Sequence, residues 1–164
     1  MPTRQHPEQF VPADFIPPPR LDHGAFRLRP LGPEHNERDH MAWMGSIDHI
    51  RATPGFPDGR WPQPMSLEQN LADLQRHHND FQHLVGFTYT VLEAHGRADR
   101  AEVMGCVYIY PDDRPGSDVH LQSWVRADLA DLDTLLATSV REWLDDAWPW
   151  RPEQIRDHPR HTST

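Results

Sequence analysis

His120, Gln122 and Trp124 alternate along one extended apolar segment, and Cys106, Tyr108 and Tyr110 alternate along another. Successive side chains of a strand point to opposite faces. Each trio therefore shares a face, which places an imidazole or a phenol beside an amide, an indole or a thiol. Two other pairs have the spacing of adjacent helical turns, Asp73 with His77 and Glu37 with His40. Either pair could give a metal two ligands, but neither has a third or fourth ligand at a defined spacing. A solvated helix face is the expectation for both, and no metal site is expected. Cys106 is the single cysteine. It has no internal disulfide partner and lies in an apolar run, so it reads as a small buried hydrophobe rather than a nucleophile. Asp128, Asp131 and Asp133 cluster where a helical pattern begins. Carboxylates suit the positive end of a helix and accept from its unpaired N–H groups, and Asp128 or Asp131 is expected to be the cap.

The elements that must position these residues follow from periodicity. Residues 25–31 alternate as a first strand. Pro33 and Glu34 are helix-start residues, and the helix is expected over 33–44 with Met41 and Met44 inward. Residues 52–64 hold four prolines and two glycines, which forbid regular structure. Phe56 and Trp61 make this loop either a ligand-facing wall or a cover for the core. Ser66 and Gln69 have capping-box spacing and open a helix over 66–84. Strands follow at 87–93, 102–110 and 119–126. The middle one has seven apolar or small residues in succession, as burial on both faces requires. A last helix runs to Leu144, and a short strand is expected around 153–156.

The totals set limits. The 164 residues suit one domain, with 37% hydrophobic and 25% charged residues. The expected division is a Pro-rich arm at 1–24, a domain at 25–156 and a polar tail at 157–164. Phe10, Val11, Phe15 and Ile16 are the residues that could anchor the arm. The net charge of −9 and the lack of a basic stripe argue against nucleic acid and anionic membranes. No apolar run approaches the length of a membrane span, and the first residues lack the apolar stretch of a signal peptide. A cytoplasmic protein is expected.

The order strand, helix, helix, strand, strand, strand, helix resembles the GCN5-related N-acetyltransferase (GNAT) superfamily. Phe26-Arg27-Leu28-Arg29-Pro30-Leu31 before Pro33-Glu34 is similar to that family's first strand and helix start. Val103-Met104-Gly105-Cys106-Val107-Tyr108-Ile109 is similar to its third strand, and Ser123-Trp124-Val125-Arg126 to its central strand leading into the acyl-CoA helix. The resemblance spans residues 25 to about 150. It implies an α/β (α+β) fold, with a mixed, mostly antiparallel sheet flanked by helices in three layers. It also implies transfer of an acyl group from acyl-CoA, with acetyl-CoA as co-substrate, to a primary amine of a small molecule or peptide. In that reading His120 is the base and Tyr108 the acid. Backbone groups of Trp124, Val125 and Arg126 hold the pantetheine in a gap between the fourth and fifth strands. The pyrophosphate lies near Asp131 and Leu132 with Arg126 as its only cation, and Phe56 and Trp61 form the substrate loop. Two features depart from the pattern. The loop after the fourth strand has three aspartates and no glycine, and the chain ends soon after the fifth-strand position. The arm or a second subunit, in a homodimer, is expected to complete the sheet edge. The alternative is a non-catalytic domain that binds a small molecule or protein through the Phe56–Trp61 loop.

Overall fold

The computed structural model describes residues 9–56 and 60–160. Six strands form one sheet in sequence order: β1 (Leu21–Asp22), β2 (Phe26–Pro30), β3 (Phe87–Glu93), β4 (Val103–Pro111), β5 (Val119–Val125) and β6 (Ile155–Arg156). Every neighbouring pair is antiparallel except β5 with β6. Helices cover both faces: α1 (Asn36–Met44), α2 (Ile47–Ala52) and α3 (Leu67–Gln82) on one, α4 (Asp133–Ala147) on the other. This is the mixed three-layer α/β architecture expected. None of the described helices is long and apolar enough to cross a membrane.

The α4 face of the sheet buries Phe26, Leu28, Val107, Ile109 and Leu121 against Leu136, Val140 and Leu144. The N-terminal arm closes this core. Val11 is buried, the Phe15 ring lies 5.4 Å from Trp148, and the Tyr89 hydroxyl donates to Pro18 O at 2.7 Å. Ile16 is no anchor: it is 82% exposed. The other face gathers Leu31, Trp43, Ile50, Leu74, Cys106 and Trp124. Cys106 is fully buried, as its apolar run implies.

Two expectations need correction, and one helix was not expected. Met41 is 76% exposed, while Ala42 and Trp43 turn inward. Two residues along a helix rotate about 200°, so burying the larger Trp43, whose indole donates to Asn70 Oδ1 at 3.1 Å, forces Met41 outward. The segment before the 52–64 loop holds α2, with Ile50 fully buried. It is too short to present a legible period. Finally, neither Asp128 nor Asp131 caps the last helix. A 3₁₀ segment over Ala127–Leu132, broken at Leu129, delays α4 until Asp133, and Leu132 stands at the cap with no side-chain bond. Asp128 instead holds Arg126 through two bonds of 2.7 and 3.0 Å. A bidentate charged pair is stronger than one cap bond.

Candidate functional site

The register of β4 with β5 sets Cys106 opposite Trp124, Tyr108 opposite Gln122 and Tyr110 opposite His120. Both trios therefore lie on the same face, under α1 and α3. Of the six, Tyr108, His120 and Gln122 line a cavity of about 820 Å³, a size suited to a small organic molecule. Phe56 and Trp61 also line it, so the described residues on either side of 57–59 form a wall of this cavity. Gln122 Nε2 donates to Gly55 O at 2.6 Å and ties that loop to β5.

His120 and Tyr108 face the cavity in different states. His120 Nε2 lies 2.7 Å from His158 Nε2. Burial, helped by the nearby Arg156 charge, lowers its pKa to about 4, so the imidazole is neutral at pH 7. The Tyr108 hydroxyl accepts from Trp124 Nε1 at 2.9 Å. Burial raises its pKa, so it keeps its proton.

Two cavity residues were not legible in the sequence. His77, expected on a solvated face, points inward, with Nδ1 2.8 Å from Tyr110 Oη and 3.0 Å from Thr88 Oγ1. Burial lowers its pKa to about 4. Asp39 is 4% exposed, receives a bond from Asn70 Nδ2 at 3.2 Å and lines the cavity. Burial pushes its pKa up to about 6, against the Asn70 bond. The available signal was its spacing: Asp39 stands one turn before the inward Trp43. Of the other paired candidates, Asp73 binds Arg76 at 3.7 Å, His40 Nε2 lies 2.6 Å from Met65 O, and Glu37 is exposed. Among the described residues no group of three or more His, Cys, Asp or Glu is placed to hold a metal ion.

A slot adjoins the cavity. β6 pairs with β5 only at Val119 and His120. Beyond them β5 faces residues 157–160. Arg160 sits there, donating to Ser123 O at 2.8 Å, Asp133 Oδ2 at 2.7 Å and Pro54 O at 3.4 Å. A second cavity of about 240 Å³ lies on the α4 side, and His158 lines both cavities. Ladder alternation decides which backbone groups of β5 face the slot. Arg126 N donates to Met104 O at 2.9 Å, so Arg126 and Trp124 turn toward β4, while Val125 and Ser123 turn toward the slot.

Could these residues take an acyl-CoA? At the start of α4, the N–H of Ala127 is bonded to Ser46 Oγ at 2.8 Å, Leu129 to Arg126 O and Asp133 to Ala130 O. Arg126 is committed to Asp128, Glu102 and Val103 O. Asp131 is exposed nearby. Arg126 is not the sole cation, since Arg160 is also present, but Arg160 is bound to Asp133. This corner does not fit a pyrophosphate. The slot beside β5 is filled by Arg160, whose side chain is 6% exposed.

No family model matches the sequence, and no curated protein matches it. Solved structures do. A ribosomal-protein-S5-alanine acetyltransferase from Vibrio fischeri superposes with a TM-score of 0.57 at 12% identity, over 78% of this chain and 68% of that one. The ribosomal L7/L12 α-N-protein acetyltransferase RimL, solved with coenzyme A, gives 0.56 at 11%, over 76% and 64%. The microcin C7 self-immunity acetyltransferase MccE, solved with acetyl-CoA and AMP, gives 0.55 at 9%, over 76% and 63%. The chain thus spans less than two thirds of the latter two. At these identities the likeness speaks of fold, and it agrees with the sheet order and the single parallel pair: this chain has the GNAT acetyltransferase fold.

Proposed function

We propose that the protein is an N-acyltransferase, moving an acyl group from a thioester donor to an amine held in the large cavity. The observation that carries this reading is the slot beside β5. There a donor arm from the α4 side could reach an acceptor over His120, Tyr108 and Asp39, since His158 lines both cavities and Arg160 lines the second. The amine nitrogen attacks the thioester carbonyl, the C–N bond forms and the C–S bond breaks. The ammonium proton passes to a base, and the thiolate takes a proton to leave as thiol. His120 is neutral and so able to accept, but its lowered pKa makes it a weak base. Asp39, with a pKa of about 6, is better matched. Tyr108 supplies a hydroxyl hydrogen bond to the developing charge.

A second reading, a non-catalytic ligand-binding domain, draws on a specific observation. The cations near the start of α4 are already paired with carboxylates. Charged hydrogen bonds contribute roughly 1.5–3 kcal/mol each, so losing two would weaken a CoA complex by a hundredfold or more. The experiment is thiol release from acetyl-CoA with a panel of primary amines, beside calorimetry of acetyl-CoA alone. Amine-dependent thiol release with weak donor binding supports the enzyme. No release with any amine, from either acetyl-CoA or S-acetyl-N-acetylcysteamine, supports the second reading.

A further inference from the structure

We propose that the inner end of the large cavity is a binding site for an alkylammonium ion, built from Asp39 and the rings of Trp43, Phe56, Trp61 and Tyr108. This deepens the acyltransferase reading by assigning the charge and anchoring of the acceptor. Its test uses no acyl donor, so the two ideas fail separately.

Three observations converge. The first is a buried carboxylate without a counter-cation. Asp39 is 4% exposed, and no ion pair among the described residues involves it. Its orientation is fixed rather than incidental. Asn70, itself 3% exposed, donates to Asp39 Oδ2 at 3.2 Å and to Asn36 Oδ1 at 2.8 Å, while accepting from Trp43 Nε1 at 3.1 Å. A carboxylate in such a place is costly unless a positive group pairs with it.

The second is the wall around it. The ring centroids of Trp43 and Trp61 are 5.6 Å apart, Phe56 and Trp61 5.9 Å, and Trp61 and Tyr108 6.2 Å. Aromatic faces are negative, and a cation within about 6 Å of a ring is attracted to it. Rings offer a hydrated metal ion no ligand atoms, but they accept the alkyl part of an organic ammonium.

The third is the pairing of the cavity's cations. Four arginines and three aspartates line it; Arg76 is paired with Asp73 at 3.7 Å and Arg156 with Asp112 through bonds of 2.7 and 2.9 Å, whereas Asp39 has no such partner among the described residues. A primary ammonium can donate to Asp39 and lay its carbons on the rings, whereas an anion placed beside Asp39 would be repelled by it.

The test is calorimetry of the full chain with n-butylammonium and with 1-butanol, its neutral isostere. The wild type is expected to bind the ammonium at least tenfold more tightly than the alcohol. Asp39→Asn should reduce that preference below threefold while melting no lower than the wild type. Trp61→Leu should weaken ammonium binding severalfold with Asp39 intact. Equal binding of the two probes, no binding of either, or an undiminished preference in Asp39→Asn overturns the proposal. The wild-type preference decides the matter even if a variant does not fold.

Discussion

Asp39 illustrates how one side chain can weaken the fold while serving the cavity. Its pKa is raised from 3.8 to about 6, so between those pH values the native state holds a proton that the unfolded chain has released. That contribution is present below pH 4 and is lost as pH rises through 6. The shift corresponds to about 3 kcal/mol. Asp39→Asn should therefore be more stable than the wild type above pH 6, by up to about that amount, and equal to it below pH 4. Urea midpoints across pH 4–8 measure this. His77 works in the opposite direction. Its pKa is lowered from 6.5 to about 4, so its contribution is present above pH 6.5 and lost as pH falls toward 4. His77→Gln, which keeps a polar group for Tyr110, should show a flatter acid limb in the same titration. Side-chain chemistry was legible where strands carry it, because two-residue alternation fixes the face: His120, Gln122, Tyr108 and Trp124 lie where spacing puts them. Asp39 and His77 sit on helices among other charged residues, and their local sequence cannot distinguish a solvated face from a wet cavity.

Among the elements, α3 was the most legible. The Ser66–Gln69 box is formed as its spacing implies: Ser66 Oγ accepts from Gln69 N at 3.1 Å, and Gln69 Oε1 accepts from Ser66 N at 3.0 Å. Ser66→Ala should cost about 1 kcal/mol in chemical denaturation, without moving the β-sheet signal in circular dichroism. β4 was recognisable for its apolar run, and its glycine has a structural cause. A Cβ on Gly105 would collide with the backbone carbonyl of Trp124 on β5. Gly105→Ala should lower the melting temperature clearly and disturb the β4–β5 register that joins Tyr108 to Gln122. The elements missed, α2 and the 3₁₀ segment before α4, are a turn or two long. Their shape is dictated by distant partners: Ile50 fills the core, and Ser46 Oγ takes the N–H of Ala127 from 81 residues away.

At the scale of the whole molecule, the mostly antiparallel sheet followed from the sequence and its resemblance, but β1, inside the expected arm, and the content of the open edge did not. Nothing local in residues 157–160 predicts that Arg160 will reach Ser123, Asp133 and Pro54 together. Arg160→Ala should empty the slot. Turnover of S-acetyl-N-acetylcysteamine, a donor without phosphates, should rise severalfold, with a smaller gain for acetyl-CoA because the start of α4 is unchanged. The shared wall has a thermodynamic consequence. His158 lines both cavities and contacts His120, while its neighbour Arg160 bridges to Asp133. A ligand on the α4 side would meet Arg160 and His158, and one on the aromatic side would meet the same histidine. The two compartments are then linked, and linkage is reciprocal: a donor that alters acceptor affinity by some factor must have its own affinity altered by the same factor. In the proposed acyltransferase, a four-residue stretch of chain thereby couples the affinities of donor and acceptor, whichever binds first.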